Sequence, residues 1–360
     1  MATAARAPFL VASRSTIFQM ATDQLLAWLL EPDLANPGVR YFALRWLLDK
    51  PADDREVLEA QAAVMRTGPV PVILARQHLA GWWLKPGAGY STKYRGTVWQ
   101  LIALHRLGAD RGDPRVHQAC EYVLRHTLNA NGAFGWSGRT TEEPPGPSTG
   151  IHCLNGNLLA AMIDFGLLHD TRVQSSIEWQ ALSITGEQSG FPYYKSGTAG
   201  PGFRCGSNAG LPCAWGANKA LLALLAIPEA ERADHVRRAL EAGAEFLLGH
   251  DPAVADYPNK NAVSSTWFRF GLPLSYWSDV LETLDVLTTL GYGQDRRLDA
   301  AFELVLAKRD AVGCWPLENT INGRSSARIE AKDEPSKWVT LRALRVLRAA
   351  GRLAGAMGLA

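Results

Sequence analysis

TVWQLIALHRLG (97–108) runs into GADRGDPRV (108–116) and HQACEYVLRHTL (117–128), and GAFGW (132–136) follows. The first segment is apolar on most of its faces, which is the pattern of a helix buried on all sides. Asp113 before Pro114 supplies N-cap and first-turn chemistry for a second helix. That second helix is amphipathic. The glycine of the closing turn permits a positive φ, and its aromatic can plug the gap between neighbouring helix pairs.

The same order recurs. The apolar helices are YFALRWLLD (41–49), LNGNLLAAMIDFG (154–166), WGANKALLALLAIP (215–228), WSDVLETLDVLTTLG (277–291) and WVTLRALRVLRAAG (338–351). With 97–108 they end at Asp49, Gly108, Gly166, Ile227, Gly291 and Gly351, stepping by 59, 58, 61, 64 and 60 residues. Amphipathic partners follow at 235–249 and 298–309. Gly-aromatic turns fall at Gly81-Trp82-Trp83, Gly132–Trp136, Gly190–Tyr193 and Gly313-Cys314-Trp315. A repeat of this length is one supersecondary unit that must bury its apolar face on its neighbours. Six buried helices alternating with amphipathic ones predict an all-α, (α/α)6 toroid of six helical hairpins, with 1–360 as a single domain. Phe18–Leu30 is expected to supply the outer helix missing after Gly351. An open solenoid is the alternative, but it would leave its first helices solvated on one side.

Composition narrows the function. With a net charge of +2 and scattered Lys and Arg, the chain lacks the clustered basic face of a nucleic-acid binder. Five cysteines make a poor disulfide framework and fit a reducing compartment. No secretory h-region and no apolar run of membrane-spanning length is evident, so a cytoplasmic protein is expected. P-loop, G-x-G-x-x-G, HExxH and DDxxD motifs are all missing.

GCWPLENTINGR (313–324) and EPSKWVTLRALRVL (334–347), with the Gly-aromatic turns, resemble the squalene-cyclase and protein-prenyltransferase superfamily of α/α toroids, most of all its bacterial prenyltransferase-like branch. The likeness covers the whole chain at the level of the repeat plan. It implies catalytic groups at the starts of the inner helices, around one mouth of a central cavity. The Asp-x-Asp-Asp acid motif of the cyclases would fall on Tyr276-Trp277-Ser278-Asp279, where Asp279 alone matches. His152-Cys153-Leu154-Asn155-Gly156 is partly similar to a zinc-bearing helix of the prenyltransferases. The order Tyr94, His152, Cys205, Cys213 is similar to that of another α/α toroid, the linalool dehydratase-isomerase, which works without metal.

These resemblances and the residues themselves set the candidate site. Asp279 is the expected proton donor, with His152, Tyr94, Cys205 and Cys213 as catalytic partners. Trp99, Asn155, Trp215, Tyr276, Trp277, Trp338 and Arg324 are expected to bind substrate, the indoles through their π faces. Ser278-Asp279 also reads as a helix cap, and the thiols as small buried groups. No cofactor is expected, although His152, Cys153, Cys205, Cys213 and Asp279 offer a conceivable zinc set. The loop 139–150 is a candidate lid. Glu318–Arg324 with Glu330 is either a cavity wall or a buttress between repeats. The expected function is terpene-cyclase-like isomerase or lyase chemistry: acid–base isomerisation, dehydration or cyclisation of a small apolar, isoprenoid-like substrate. A carbohydrate-active enzyme would instead pair Asp279 with Glu318 or Glu330. A non-catalytic lipid- or peptide-binding toroid is the third reading.

Overall fold

The computed structural model describes residues 23–137, 149–187 and 199–353. Residues 18–22 of the expected N-terminal helix, 139–148 of the candidate lid and the Gly190–Tyr193 turn lie outside the described residues.

The described chain is mostly helical. Its only named strands are the two-residue antiparallel pair Ala199–Gly200 and Arg204–Cys205. Helix α1 spans 23–30, and α2 (Gly38–Trp46), α3 (Arg55–Arg66) and α4 (Pro69–Leu74) follow. Three hairpins come next: α5 (Thr97–Arg106) with α6 (Pro114–Thr127), α7 (His152–Met162) with α8 (Thr171–Thr185), and α9 (Ala214–Leu225) with α10 (Asp234–Leu248). The chain continues through α11 (Val280–Thr289), α12 (Asp299–Ala307) and α13 (Lys337–Ala349). No described helix is long and apolar enough to cross a membrane.

The turn chemistry read from the sequence forms the helix starts. Asp54, Asp113 and Asp170 each accept the backbone N–H two residues on, at the heads of α3, α6 and α8. Helix α6 buries Val116, Ala119, Cys120, Val123 and Leu124, one face of a 3.6-residue period. Helix α7 buries every residue except Cys153. Odd-numbered helices pack on one another in the order α5, α7, α9, α11, α13, and α13 reaches back to α2. The closest approach is between α7 and α9. A Cβ on Gly156 would stand 2.2 Å from the Lys219 carbonyl carbon, so only glycine allows these backbones to meet there.

The Gly-aromatic turn is a repeated lock. Gly81, Gly132 and Gly313 take φ of 95°, 89° and 95°. Two residues on, the backbone N–H of Trp83 donates to Thr97 Oγ1 (3.2 Å), that of Phe134 to Asn155 Oδ1 (2.6 Å), and that of Trp315 to Thr340 Oγ1 (3.1 Å). The acceptors lie on α5, α7 and α13, the next odd-numbered helix in each case. The indole N–H groups of Trp83 and Trp315 donate to the carbonyls of Ile73 and Val305. Each turn therefore bolts a hairpin to its successor. A Cβ on Gly132 would stand 2.4 Å from the Ser175 carbonyl oxygen of α8, which explains the glycine.

The buried helices also carry polar residues beyond their starts. Gln100, Asn157, Asn218, Lys219, Glu282, Thr283 and Thr340 are all buried. They are tolerated because most find partners across the helix interfaces: Lys219 Nζ binds Glu282 Oε1 at 2.7 Å, Ser278 donates to Glu282 at 2.6 Å, and Asn218 donates to Ser278 and Thr283.

Candidate functional site

A cavity of 330 Å³ opens at the starts of α5, α7, α9 and α11, roofed by the loop after α10. Tyr90 and Lys93 reach it from the approach to α5, Cys153 from the start of α7, Cys205, Cys213 and Trp215 from the approach to α9, and Tyr276 from the approach to α11. The described lining contains no carboxylate and no histidine.

The eight-residue spacing of Cys205 and Cys213 is folded into a tight hairpin. Cys205 N–H donates to the Leu211 carbonyl, and Cys213 N–H to the Phe203 carbonyl. Cys205 immediately precedes the short turn Gly206–Asn208, and Cys213 immediately precedes α9. Asn208 pins the hairpin by donating to the Pro212 and Pro258 carbonyls. The two thiols share a hydrogen bond. That bond, supported by the backbone N–H groups of Ser207 and Asn208, lowers the Cys205 thiol to about 6, against the opposing effect of burial. The same bond and burial raise Cys213. Burial also pushes the Cys153 thiol up to about 12.

Aromatic rings surround this pair. Tyr276 lies edge-on to Trp215 (6.1 Å) and Trp277 (5.3 Å), and Tyr94 edge-on to Trp99 (5.6 Å) and Trp277 (5.4 Å). Lys93 Nζ stands 4.0 Å from the Tyr276 ring centroid and 5.3 Å from that of Tyr90. Burial and the neighbouring Tyr276 push the Tyr94 phenol up to about 12. The Arg324 guanidinium covers the Tyr94 ring at 4.9 Å, with the rest of Arg324 exposed.

Of the residues expected to act together, Cys205, Cys213, Trp215 and Tyr276 line the cavity, and Tyr94, Trp99 and Trp277 stand behind them. Four others are placed differently. Asp279 is fully buried, caps α11 by accepting Glu282 N–H, and holds Arg342 bidentately at 2.8 and 3.0 Å. Its oxygens are thus committed to structural partners, and it does not line the cavity. His152 turns toward α8, where its Nδ1 meets Gln180 Nε2 at 3.0 Å between Trp179 and Phe203. Asn155 clamps the Phe134 turn. Trp338 donates to Asn36 beside Phe42. Among the described residues no group of three or more His, Cys, Asp or Glu is arranged to hold a metal ion. The alternative carboxylates also have structural partners. Glu318 binds Lys308 and the Phe270 N–H, and Glu330 binds Ser336 and the Lys337 N–H. This is the buttress reading of that cluster.

Tyr90, Lys93, Asn208 and the loop 255–264 were not singled out from the sequence. Tyr90 and Lys93 carried a usable signal, since they flank an inner-helix start as Tyr276 does. The loop had none, because only the fold of α10 brings it over the mouth.

No family model matches the chain, and no curated protein matches it. Among solved structures the chain is similar to a protein from Actinoplanes, at 15% identity, covering 94% of this chain and 100% of that one, with a TM-score of 0.44.

Proposed function

We propose that the chain closes into an (α/α)6 toroid and acts as an isomerase or lyase on a small apolar, isoprenoid-like substrate, with Cys205 and Cys213 as its proton-transfer pair. Closure is supported by contacts between the two ends of the chain. The Gly313 turn packs on Leu25, Lys337 pairs with Glu31 and Asp33, and Arg348 pairs with Asp49.

The observation that carries the activity is the pairing of Cys205 with Cys213 in an aromatic-lined cavity whose described lining contains no carboxylate. In a dehydration, the Cys213 thiol gives its proton to the departing hydroxyl and the Cys205 thiolate takes a proton from the adjacent carbon. Water and an alkene result. The proton then returns from Cys205 to Cys213 along their hydrogen bond, which restores the starting state. Tyr276 and Trp215 offer aromatic rings to positive charge developing on carbon. The roles first expected of Asp279 pass to the thiols. Among the described residues, the paired carboxylates that glycoside chemistry needs do not line this cavity.

The test is turnover of an acyclic terpene alcohol in D2O, followed by mass spectrometry for alkene and for exchanged carbon-bound deuterium. Cys205→Ser and Cys213→Ala should each lose about 10²–10⁴-fold, the usual contribution of a positioned acid or base. Unchanged rates in both variants would sink the assignment.

A further inference from the structure

The molecule has a second concavity, at the opposite ends of the inner helices. An open recess of 440 Å³ is lined by Arg45, Trp46, Asp49, Arg345 and Arg348. It adjoins a deeper pocket of 50 Å³, which Trp46 and Arg345 also line and which reaches Arg106, Asp285 and Arg342. Neither shares a lining residue with the thiol cavity.

Five guanidinium groups line this funnel, against the two carboxylates of Asp49 and Asp285. Counting the ion-pair partners behind the wall adds Asp279, Glu282 and Lys219, so six cations meet four carboxylates. Buried charge of one sign is costly unless it is paired. The cations differ in how well they are satisfied. Arg342 is held by Asp279 and the Gly271 carbonyl. Arg345 makes one contact to Asp285 at 3.2 Å and otherwise lies on the Trp46 ring at 4.4 Å. Arg106 reaches Asn157 and Glu282 only through Nη2, each at 3.2 Å, and its buried Nε has no hydrogen-bond partner. A buried guanidinium N–H left unpaired beside a cavity is a vacant donor.

We propose that this arginine funnel binds an oxyanion, the phosphate or carboxylate group of a small metabolite, with Arg106 and Arg345 as its inner donors and Arg45 and Arg348 at its rim. Guanidinium groups suit this because they present several donors in a fixed fork to phosphate or carboxylate oxygens. Leu272, Leu274 and Trp338 provide apolar wall for the rest of such a ligand. The proposal does not depend on the reaction at the thiol cavity.

The test is calorimetric titration of the full chain with inorganic phosphate and, separately, with acetate, at constant ionic strength set by sodium chloride. Saturable binding of phosphate alone identifies a phosphate site, and saturable binding of acetate a carboxylate site. Arg345→Gln should weaken binding roughly tenfold or more, the loss expected for one hydrogen bond to a charged group. Arg348→Gln, on the exposed rim, keeps the test valid if the inner variant fails to fold, and should weaken binding severalfold. Cys205→Ser, in the other cavity, should bind as the unaltered protein does. No saturable heat with either anion, or binding unchanged in both arginine variants, would overturn the proposal.

Discussion

At the scale of single residues, the fate of Asp279 is the most instructive. Its position at a helix start made it an attractive acid, and the same position made it a cap. The structure decides through Arg342, which lies 63 residues away and meets both carboxylate oxygens. Asn is also a good N-cap, so Asp279→Asn isolates the ion pair from the cap. It should cost about 3–5 kcal/mol in urea unfolding, the penalty for leaving a buried partner charge uncompensated. The protein that remains folded should keep its turnover. The thiols behave in the opposite way. Cys205 looked like half of a weak pattern, and the hairpin 203–213 sets it beside Cys213, which lowers its thiol. Activity should therefore rise with pH through about 6, as Cys205 loses its proton, and that limb should vanish from the profile of Cys205→Ser.

Among the elements, the Gly-aromatic turns and the helix caps were legible because their causes are local. A left-handed glycine, an Asp before a helix and an aromatic two residues on are short-range signals. What the turns bind was not legible, since Thr97, Asn155 and Thr340 lie on the following helix. Two substitutions separate the parts of this lock. Trp315→Ala should destabilise by about 3–5 kcal/mol through the cavity that it leaves. Thr340→Val keeps the shape but strands the Trp315 N–H, for about 1–3 kcal/mol. Equal stability of Thr340→Val and the parent in chemical denaturation would show that the hydrogen bond contributes nothing to the lock.

For the whole molecule, the buried charges join helices that the repeat sets side by side. Lys219 and Glu282, 0% and 2% exposed, link α9 to α11, and Arg106 extends the link to α5. Burial works against both charges of the pair. It lowers the Lys219 ammonium to about 8, and it raises Glu282, but Lys219, Arg106 and Arg342 together outweigh it and hold that carboxyl at about 2. A carboxyl depressed on folding adds stability above its ordinary value near ~4.3, and that stability is lost as pH falls through the folded value. Unfolding free energy should accordingly decline between about pH 4.5 and pH 2, and Glu282→Gln should flatten that decline. Replacing Lys219 and Glu282 together by Met and Leu should cost less than Glu282→Leu alone, because the single change strands both Lys219 and Arg106 while the double change strands only Arg106. A double variant as unstable as the two single changes combined would contradict this.

By itself the sequence determined the sixty-residue period, the alternation of buried and amphipathic helices, the capped starts and the glycines of the closing turns. Each follows from interactions within a few residues of chain. It also placed the chemically active side chains at the starts of α5, α7, α9 and α11, where a cavity does lie. Tertiary structure alone decided which of them face that cavity. Rotation of a helix about its axis by one residue, about 100°, exchanges a cavity wall for a helix interface. That rotation is set by partners about one repeat away, such as Asn218 with Ser278, Lys219 with Glu282 and Asp279 with Arg342. Polar residues inside an apolar run announced that such partners exist. Which residues they are depends on how the hairpins pack, and that is settled by the close approach of small residues such as Gly156 on the neighbouring helix backbone.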